Sequence, residues 1–454
     1  MKTLILALTA IFTAFNSALA QGLTFTTNAY SVGSGPYVAV ADVNGDGRLD
    51  LITANFNTNT LTVLTNNGHG DFGFNATLVV DKNAGFVLPA DVNGDGYVDL
   101  ISANYGANTL TVLTNNGSGV FGSNATLNVG SGPQNIVAAD VNGDGYLDLI
   151  TPNYTSSGTL TVYTNNGRGV FGFNATLSVG SYPAYVCAAD VNGDGYVDLI
   201  SASYRGSNGN TLTVLTNNGH GVFGFNARPG VGSNPVTVIA ADVNGDGKLD
   251  LISANNGTNT LTVLTNNGHG VFGFNATLTV ADSPEGLTAS DLNGDGKLDL
   301  ISANGGTYIG IDPGNQNTVT ILTNNGSGVF GSNATFIVGN GPDLISAADV
   351  NADGKLDLVA SNFKDNTVTV LMNSSIFPPP INSPTLAIKH QGKNVRIAWP
   401  SISPGWSLQE NPDMTKTNWL PSGYGGYTTA DDGTNKSLTL PFSNGNLFYR
   451  LLHP

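Results

Sequence analysis

One nine-residue string returns seven times along this chain and decides most of what it can fold into. It reads Asp42-Val43-Asn44-Gly45-Asp46-Gly47-Arg48-Leu49-Asp50, and equivalents begin at Asp91, Asp140, Asp190, Asp242, Asp291 and Asp349. The intervals are 49, 49, 50, 52, 49 and 58 residues. A period of that size marks an array of one supersecondary unit. The second copy shows the unit: apolar or alternating segments run from Phe86 to Val92, Val98 to Ala103, Thr109 to Thr114 and Phe121 to Val129. Thr alternating with Leu or Val is the period-2 mark of a strand, and Asn-Asn-Gly after the third segment is a hairpin turn. Four strands per unit, seven times over, predict an all-β, seven-bladed propeller.

The ends of the array predict how the ring closes. Fourth strands begin at Phe72, Phe121, Phe171, Phe223, Phe272 and Phe330, and the last unit stops after Leu371 without one. The missing copy is at the front, where Phe25 to Pro36 matches Phe171 to Pro183. The N-terminal segment is therefore expected to supply the outer strand of the last blade. The propeller is assigned to residues 21–372. Residues 373–384, with Pro378-Pro379-Pro380, read as a semi-rigid linker. Residues 385–454 read as a small β-sandwich-like domain.

The nonapeptide is also a donor set. Asp at positions 1, 5 and 9, Asn at position 3 and the carbonyl of position 7 are hard oxygen ligands that suit calcium. Position 6 is always Gly, where the turn around an ion needs conformational freedom. The expected ligands are Asp42, Asn44, Asp46, Arg48 (carbonyl) and Asp50 in the first loop, and Asp91, Asn93, Asp95, Tyr97 and Asp99 in the second. The third holds Asp140, Asn142, Asp144, Tyr146 and Asp148, and the fourth Asp190, Asn192, Asp194, Tyr196 and Asp198. The fifth holds Asp242, Asn244, Asp246, Lys248 and Asp250, and the sixth Asp291, Asn293, Asp295, Lys297 and Asp299. The seventh holds Asp349, Asn351, Asp353, Lys355 and Asp357, with Ala352 in place of Gly at a non-ligand position. Position 12 is not Glu, so these are not EF-hands.

Charge agrees with about seven bound calcium ions. Residues 21–384 carry 9 Lys/Arg against 28 Asp/Glu, and 21 of the chain's 32 acidic residues lie in the loops. Three carboxylates crowded together repel unless a cation sits among them. The same acidity excludes nucleic acid as a partner. The N-terminus reads as a secretory signal over residues 1–20. It has Lys2, an apolar run from Leu4 to Phe15 and an Ala18-Leu19-Ala20 cleavage site. The run is too short for a membrane span, so a secreted or cell-surface, monomeric protein is expected. A single cysteine, Cys187, allows no internal disulfide and reads as a buried small hydrophobe.

The string Asp-Val-Asn-Gly-Asp-Gly-x-x-Asp-Leu-Ile, followed by Asn-Thr-Leu-Thr-Val-Leu-Thr-Asn-Asn-Gly-x-Gly-x-Phe-Gly, resembles the FG-GAP/VCBS-type repeat of integrin α-subunit propellers and many secreted bacterial proteins. The resemblance covers about Gly22 to Asn373. It implies seven blades, with calcium in the hairpins joining strands one and two and a ligand face opposite them. It does not fix a function. The C-terminal segment, with Val395-Arg396-Ile397-Ala398-Trp399, Trp406, Trp419 and Phe448-Tyr449-Arg450-Leu451, is similar to modules that end many secreted bacterial proteins.

On that opposite face the residue after strand two is usually aromatic: Phe56, Tyr105, Tyr154, Tyr204 and Phe363, with Asn256 and Gly305 in the fifth and sixth units. Rings beside amides suit sugar recognition by stacking and hydrogen bonding; the same rings also suit packing between blades. The sixth unit's loop is the longest and carries Tyr308 and Asp312. The Asn-Ala-Thr triplets at Asn75, Asn124, Asn174, Asn275 and Asn333 follow the strand-four template. His69, His220 and His269 occupy one turn position in separate units. No nucleophile elbow, His-metal motif or phosphate loop is present. The leading reading is adhesion or ligand binding, to a glycan or a surface protein. Alternatives are a polysaccharide lyase or hydrolase drawing on Asp312, Asp343 and Glu285, and a structural surface element.

Overall fold

The structure, a computed structural model, describes residues 22–305 and 317–375. Beyond them it describes the strands Ala387–Gln391, Asn394–Pro400, Ser407–Asn411, Leu420–Pro421, Ala430–Asp431, Asn435–Pro441 and Phe448–Leu452. Residues 1–20, expected to be a secretory signal, and Tyr308 and Asp312 lie outside the described residues. The chain divides into units at 376/377.

The first unit holds seven four-stranded antiparallel sheets, and each is one blade. In blade 1 the strands are Pro36–Ala41, Asp50–Asn55, Thr60–Asn66 and Phe72–Val79, in that order from the axis outward. The inner strands of blades 2 to 7 start at Ala84, Val137, Pro183, Pro235, Pro284 and Pro342. Each packs against the next, and the seventh packs against the first. The outer strand of blade 7 is Phe25–Ser31, paired in unbroken register with Thr367–Asn373. The front of the chain thus closes the ring. The second unit has a four-stranded and a three-stranded sheet.

Burial follows the strand order. Second strands such as Asp50–Asn55 are buried along their whole length, sandwiched between neighbouring blades, and their polar residues Asp50, Thr53 and Asn55 are buried with the apolar ones. Outer strands such as Phe72–Val79 alternate and leave Phe74 exposed. The outer strand carries a bulge opposite Val63/Leu64, and five other blades bulge at the same place. The bulged Asn124 and Asn226 use their amides to hold Gly169 and Gly270 of the next blade's hairpin. The Asn-Ala-Thr triplets therefore sit at a structural position.

A second amide ties the ring. The Asn66 side chain at the end of strand three donates to the Leu49 carbonyl and, at 2.7 Å, to Val350 of the preceding blade. Asn115, Asn165, Asn217, Asn266, Asn324 and Asn373 reach back in the same way to Val43, Val92, Val141, Val191, Val243 and Leu292. All seven acceptors sit at position 2 of the nonapeptide, so every acidic loop is anchored from the next blade.

A third amide staples strands two and three together. Asn55 donates to the hydroxyls of Thr60 and Thr62 and accepts from Thr53. Blade 4 breaks the pattern with Ser203, and the buried hydroxyls of Ser201, Ser203 and Thr213 are left without partners. In blade 7 Ala360 replaces the donor two residues before Asn362, and the Asn362 carbonyl oxygen is left unpaired for that reason.

Candidate functional site

The seven acidic loops lie on one face, between strands one and two. In the first, Asp42 accepts the amides of Gly45 at 2.8 Å and Gly47 at 2.7 Å, curling the loop around its own carboxylate. Gly45 and Gly47 have φ of +74° and +79°, which glycine adopts without strain. Ala352 takes φ +59° at the position Gly45 fills, a conformation that costs an alanine about 1 kcal/mol. Asn44 and Asp46 accept the amides of Asp46 and Arg48, at 2.9 Å each.

Asp50, at position 9, is fully buried and accepts the amides of Val43 and Asn66. Burial pushes its carboxyl up to about 6 despite those two bonds, and Asp46 and Asp42 push the same way. Asp148, Asp198 and Asp357 also rise to about 6, and Asp299 rises to about 7. Such a carboxyl holds its charge at a cost that a nearby cation relieves. Each loop therefore has the donor chemistry of a hard-cation site. Among the described residues, no three acidic, His or Cys side chains are drawn together into a metal-holding group. The carboxylates turn to loop amides instead, and each retains lone pairs beyond those bonds.

The opposite face carries the strand two-to-three turns. Phe363, Phe56 and Tyr105 follow one another around it, with centroids 6.2 and 5.9 Å apart. Tyr154 continues the arc, 6.3 Å from Tyr204 and 5.2 Å from Tyr182. Phe56, Tyr105, Tyr154 and Phe363 are half-buried. Tyr204 is only 3% exposed and packs into the core, with Arg205 lying over its ring, so it offers no stacking surface. The arc breaks at blades 5 and 6, where Asn256 and Gly305 stand.

Beneath that break the structure assembles side chains that sequence reasoning left apart. A cavity at the channel mouth is lined by Tyr37, Phe86, Tyr185, Thr237, Glu285 and Asp343, among others. Glu285 and Asp343 belong to adjacent inner strands and are 3% and 8% exposed. Gly286 makes the pairing possible. A Cβ there would lie 2.5 Å from the Asp343 carbonyl oxygen, so only glycine lets blades 6 and 7 approach this closely. The Asn256 amide donates to Glu285 at 2.7 Å, and the Thr237 hydroxyl donates to the Glu285 backbone carbonyl at 2.5 Å. Tyr37 and Asp343 both line the cavity, and burial raises the Asp343 carboxyl to about 7. Tyr37 meets Phe363 at 5.6 Å, joining the cavity wall to the arc. Asn135 spends its amide on both backbone groups of Val186 in the next blade's inner strand.

Comparisons place this architecture. The FG-GAP-like repeat matches residues 91–151, 153–201, 190–253 and 242–302, and the FG-GAP repeat matches 283–322. No curated protein matches the chain. Among solved structures, BBS1N, solved in complex with ARL6DN, aligns with a TM-score of 0.56 at 12% identity. That alignment covers 80% of this chain and 98% of that one. Sqt1 of Saccharomyces cerevisiae aligns with a TM-score of 0.52 at 11% identity over 78% of this chain and 99% of its own. A protein of unknown function from Desulfotomaculum acetoxidans aligns with a TM-score of 0.50 at 12% identity, over 68% and 88%. At such identities the likeness is one of fold. With seven closed blades and the repeat signature in them, the chain belongs to the FG-GAP-repeat family of β-propellers, a fold that serves as a ligand-binding module.

Proposed function

We propose that this protein is exported, carries calcium in its seven loops and binds a carbohydrate on the opposite face. The observation that carries the reading is the broken arc of half-buried rings, with amide and carboxyl groups grouped at its gap. Near-identical blades form a pseudosymmetric ring, and a ligand without that symmetry is recognised by residues that break it. The inner-strand residues at the mouth do so most: Tyr37, Gly85, Gln134, Ala184, Val236, Glu285 and Asp343 occupy equivalent positions. Ring faces give stacking area, and the amides give direction. Calcium would be held by the Asp and Asn side chains of each loop and would neutralise them, stiffening a domain that has no disulfide. Export rests on the leader-like residues 1–20.

Glu285 and Asp343 also favour a second reading, cleavage of the bound polysaccharide. An acid poised near neutrality can give and take a proton. Two buried carboxyls repel uronate groups, so hydrolysis fits them better than lyase chemistry.

The test is a glycan and polysaccharide array probed with the mature chain in calcium, beside a folded Tyr105→Ala/Tyr154→Ala variant. Binding by the parent that the variant loses supports the reading. Binding that survives in the variant, or none by either form, overturns the assignment to the arc. New reducing ends in the bound polysaccharide, absent with Asp343→Asn, would favour the hydrolase.

A further inference from the structure

Position 7 of the nonapeptide divides the seven loops into two contiguous groups. Blades 2, 3 and 4 carry Tyr97, Tyr146 and Tyr196 there, and blades 5, 6, 7 and 1 carry Lys248, Lys297, Lys355 and Arg48. The ring closes between blades 7 and 1, so each group is one unbroken arc of the acidic face. Both kinds of side chain take the same place. A Cβ on the hairpin residues Gly117, Gly167 or Gly219 would strike a Tyr ring, and one on Gly68, Gly268 or Gly326 would strike the stem of Arg48, Lys248 or Lys297. What differs is charge. Each cation reaches the position 5 carboxylate of its own loop: Arg48 to Asp46 at 3.8 Å, Lys248 to Asp246 at 3.7 Å, Lys297 to Asp295 at 3.6 Å and Lys355 to Asp353 at 3.8 Å. In blades 2–4 the same carboxylate oxygen takes a neutral donor, the position 3 amide of Asn93, Asn142 or Asn192, at 3.0, 3.0 and 2.9 Å. Among the described residues, no cation pairs with an acid of those three loops.

We propose that position 7 sorts the loops into two classes of calcium site, with blades 2–4 filling first and blades 5, 6, 7 and 1 filling last. This rests on the calcium reading above and adds its regulation. Asp46, Asp246, Asp295 and Asp353 are expected ligands, so calcium competes there with a cation already on the carboxylate. It also meets a nonapeptide of net charge −2, from three Asp and one cation, where blades 2–4 offer −3. The pairs are a third to a half exposed, so water and salt screen them. The penalty is on the order of three- to tenfold in affinity per site. The late-filling arc holds blade 7, which the N-terminal strand closes, and blades 5 and 6, where the aromatic arc of the other face is broken. Falling calcium therefore relaxes the closing side of the ring before blades 2–4 are touched.

The experiment is a calcium titration of the chain from residue 21 onward, followed by native mass spectrometry, beside two exchange variants. Lys248→Tyr/Lys297→Tyr moves two loops into the early class, and Tyr146→Lys moves one into the late class. Melting in millimolar calcium confirms that each variant is folded. At intermediate calcium the parent's three-ion species should exceed what seven equal sites give. That excess should move to five ions in the first variant and to two in the second. Seven equal sites in the parent, or a three-ion excess that neither variant moves, overturns the inference and leaves the calcium reading standing. A chain that binds no calcium brings down both. Added salt in a calorimetric titration should narrow the gap between the classes, and a gap that salt leaves unchanged would refute the charge argument.

Discussion

Ser203 is the place where the blade design is broken most simply, so its repair is a sharp test. Six blades end strand two in Asn, whose carboxamide bonds up to three hydroxyls: in blade 5, Asn255 takes Ser253 at 2.9 Å and Thr262 at 2.9 Å. Blade 4 has Ser203, with the hydroxyls of Ser201, Ser203 and Thr213 buried and unpaired. The glycine that makes room for the carboxamide elsewhere, Gly232 beside Asn255, is retained as Gly180 beside Ser203. Ser203→Asn should therefore fit and satisfy Ser201 and Thr213. An unsatisfied buried hydroxyl costs about 1–3 kcal/mol, and burying the new carboxamide offsets part of the gain, leaving about 1–3 kcal/mol for the substitution. With an unfolding entropy of about 2.1 cal/mol/K per residue over roughly 350 residues, the melting temperature should rise by about 1.5–4 °C. The reciprocal Asn255→Ser should lower it by a similar amount. Calorimetric melts in constant calcium read both. A lower melting temperature for Ser203→Asn, or an unchanged one for Asn255→Ser, would refute the staple as a source of stability.

Other expectations follow from the same contacts. Asn217→Ala removes the bonds to Val197 and Val141; the Gly221 amide still holds the Val141 carbonyl at 2.7 Å, so the loss falls mainly on the Val197 carbonyl and should cost about 1–3 kcal/mol in denaturant titration. An effect below 0.5 kcal/mol, on the order of an ordinary surface change, would mean that the latch between blades 3 and 4 carries no stability. Asp343 titrates near 4 when unfolded and near 7 when folded, so between those values the folded chain binds more protons. That contribution is complete below pH 4 and is lost as pH rises through 7. Stability of the parent should thus fall relative to Asp343→Asn across this window at constant calcium, and parallel profiles would contradict it.

Much of this architecture was legible because repetition amplifies it. The blade count, the closing strand from Phe25 and all six other outer-strand starts follow from the period and alternation alone. Inner-strand ends did not. Phe86 to Val92 reads as one segment, but the strand runs Ala84–Ala90, because Asp99 captures the Val92 amide for the loop. The latch residues were visible only as the first Asn of a hairpin turn. Their bond to the preceding blade, such as Asn217 to Val141, exists only once the ring has closed. Glu285 and Asp343 were recognisable as acids outside the loops, but nothing local brings residues so far apart together. Their meeting depends on Gly286 and the close approach of two inner strands. Ser203 did leave a signal, as the one serine where the template has asparagine. Tyr204 reads like its equivalents in sequence yet is buried, because neighbouring aromatic rings and Arg205 cover it.

The seven loops bear most directly on the proposed function, and counting their ions tests it. Native mass spectrometry of the chain from residue 21 onward in millimolar calcium should show seven bound ions, removed together with several degrees of melting temperature by a chelator. A chain that keeps its metal-free mass in calcium, with a melt indifferent to chelation, would contradict the assignment of these loops as calcium sites.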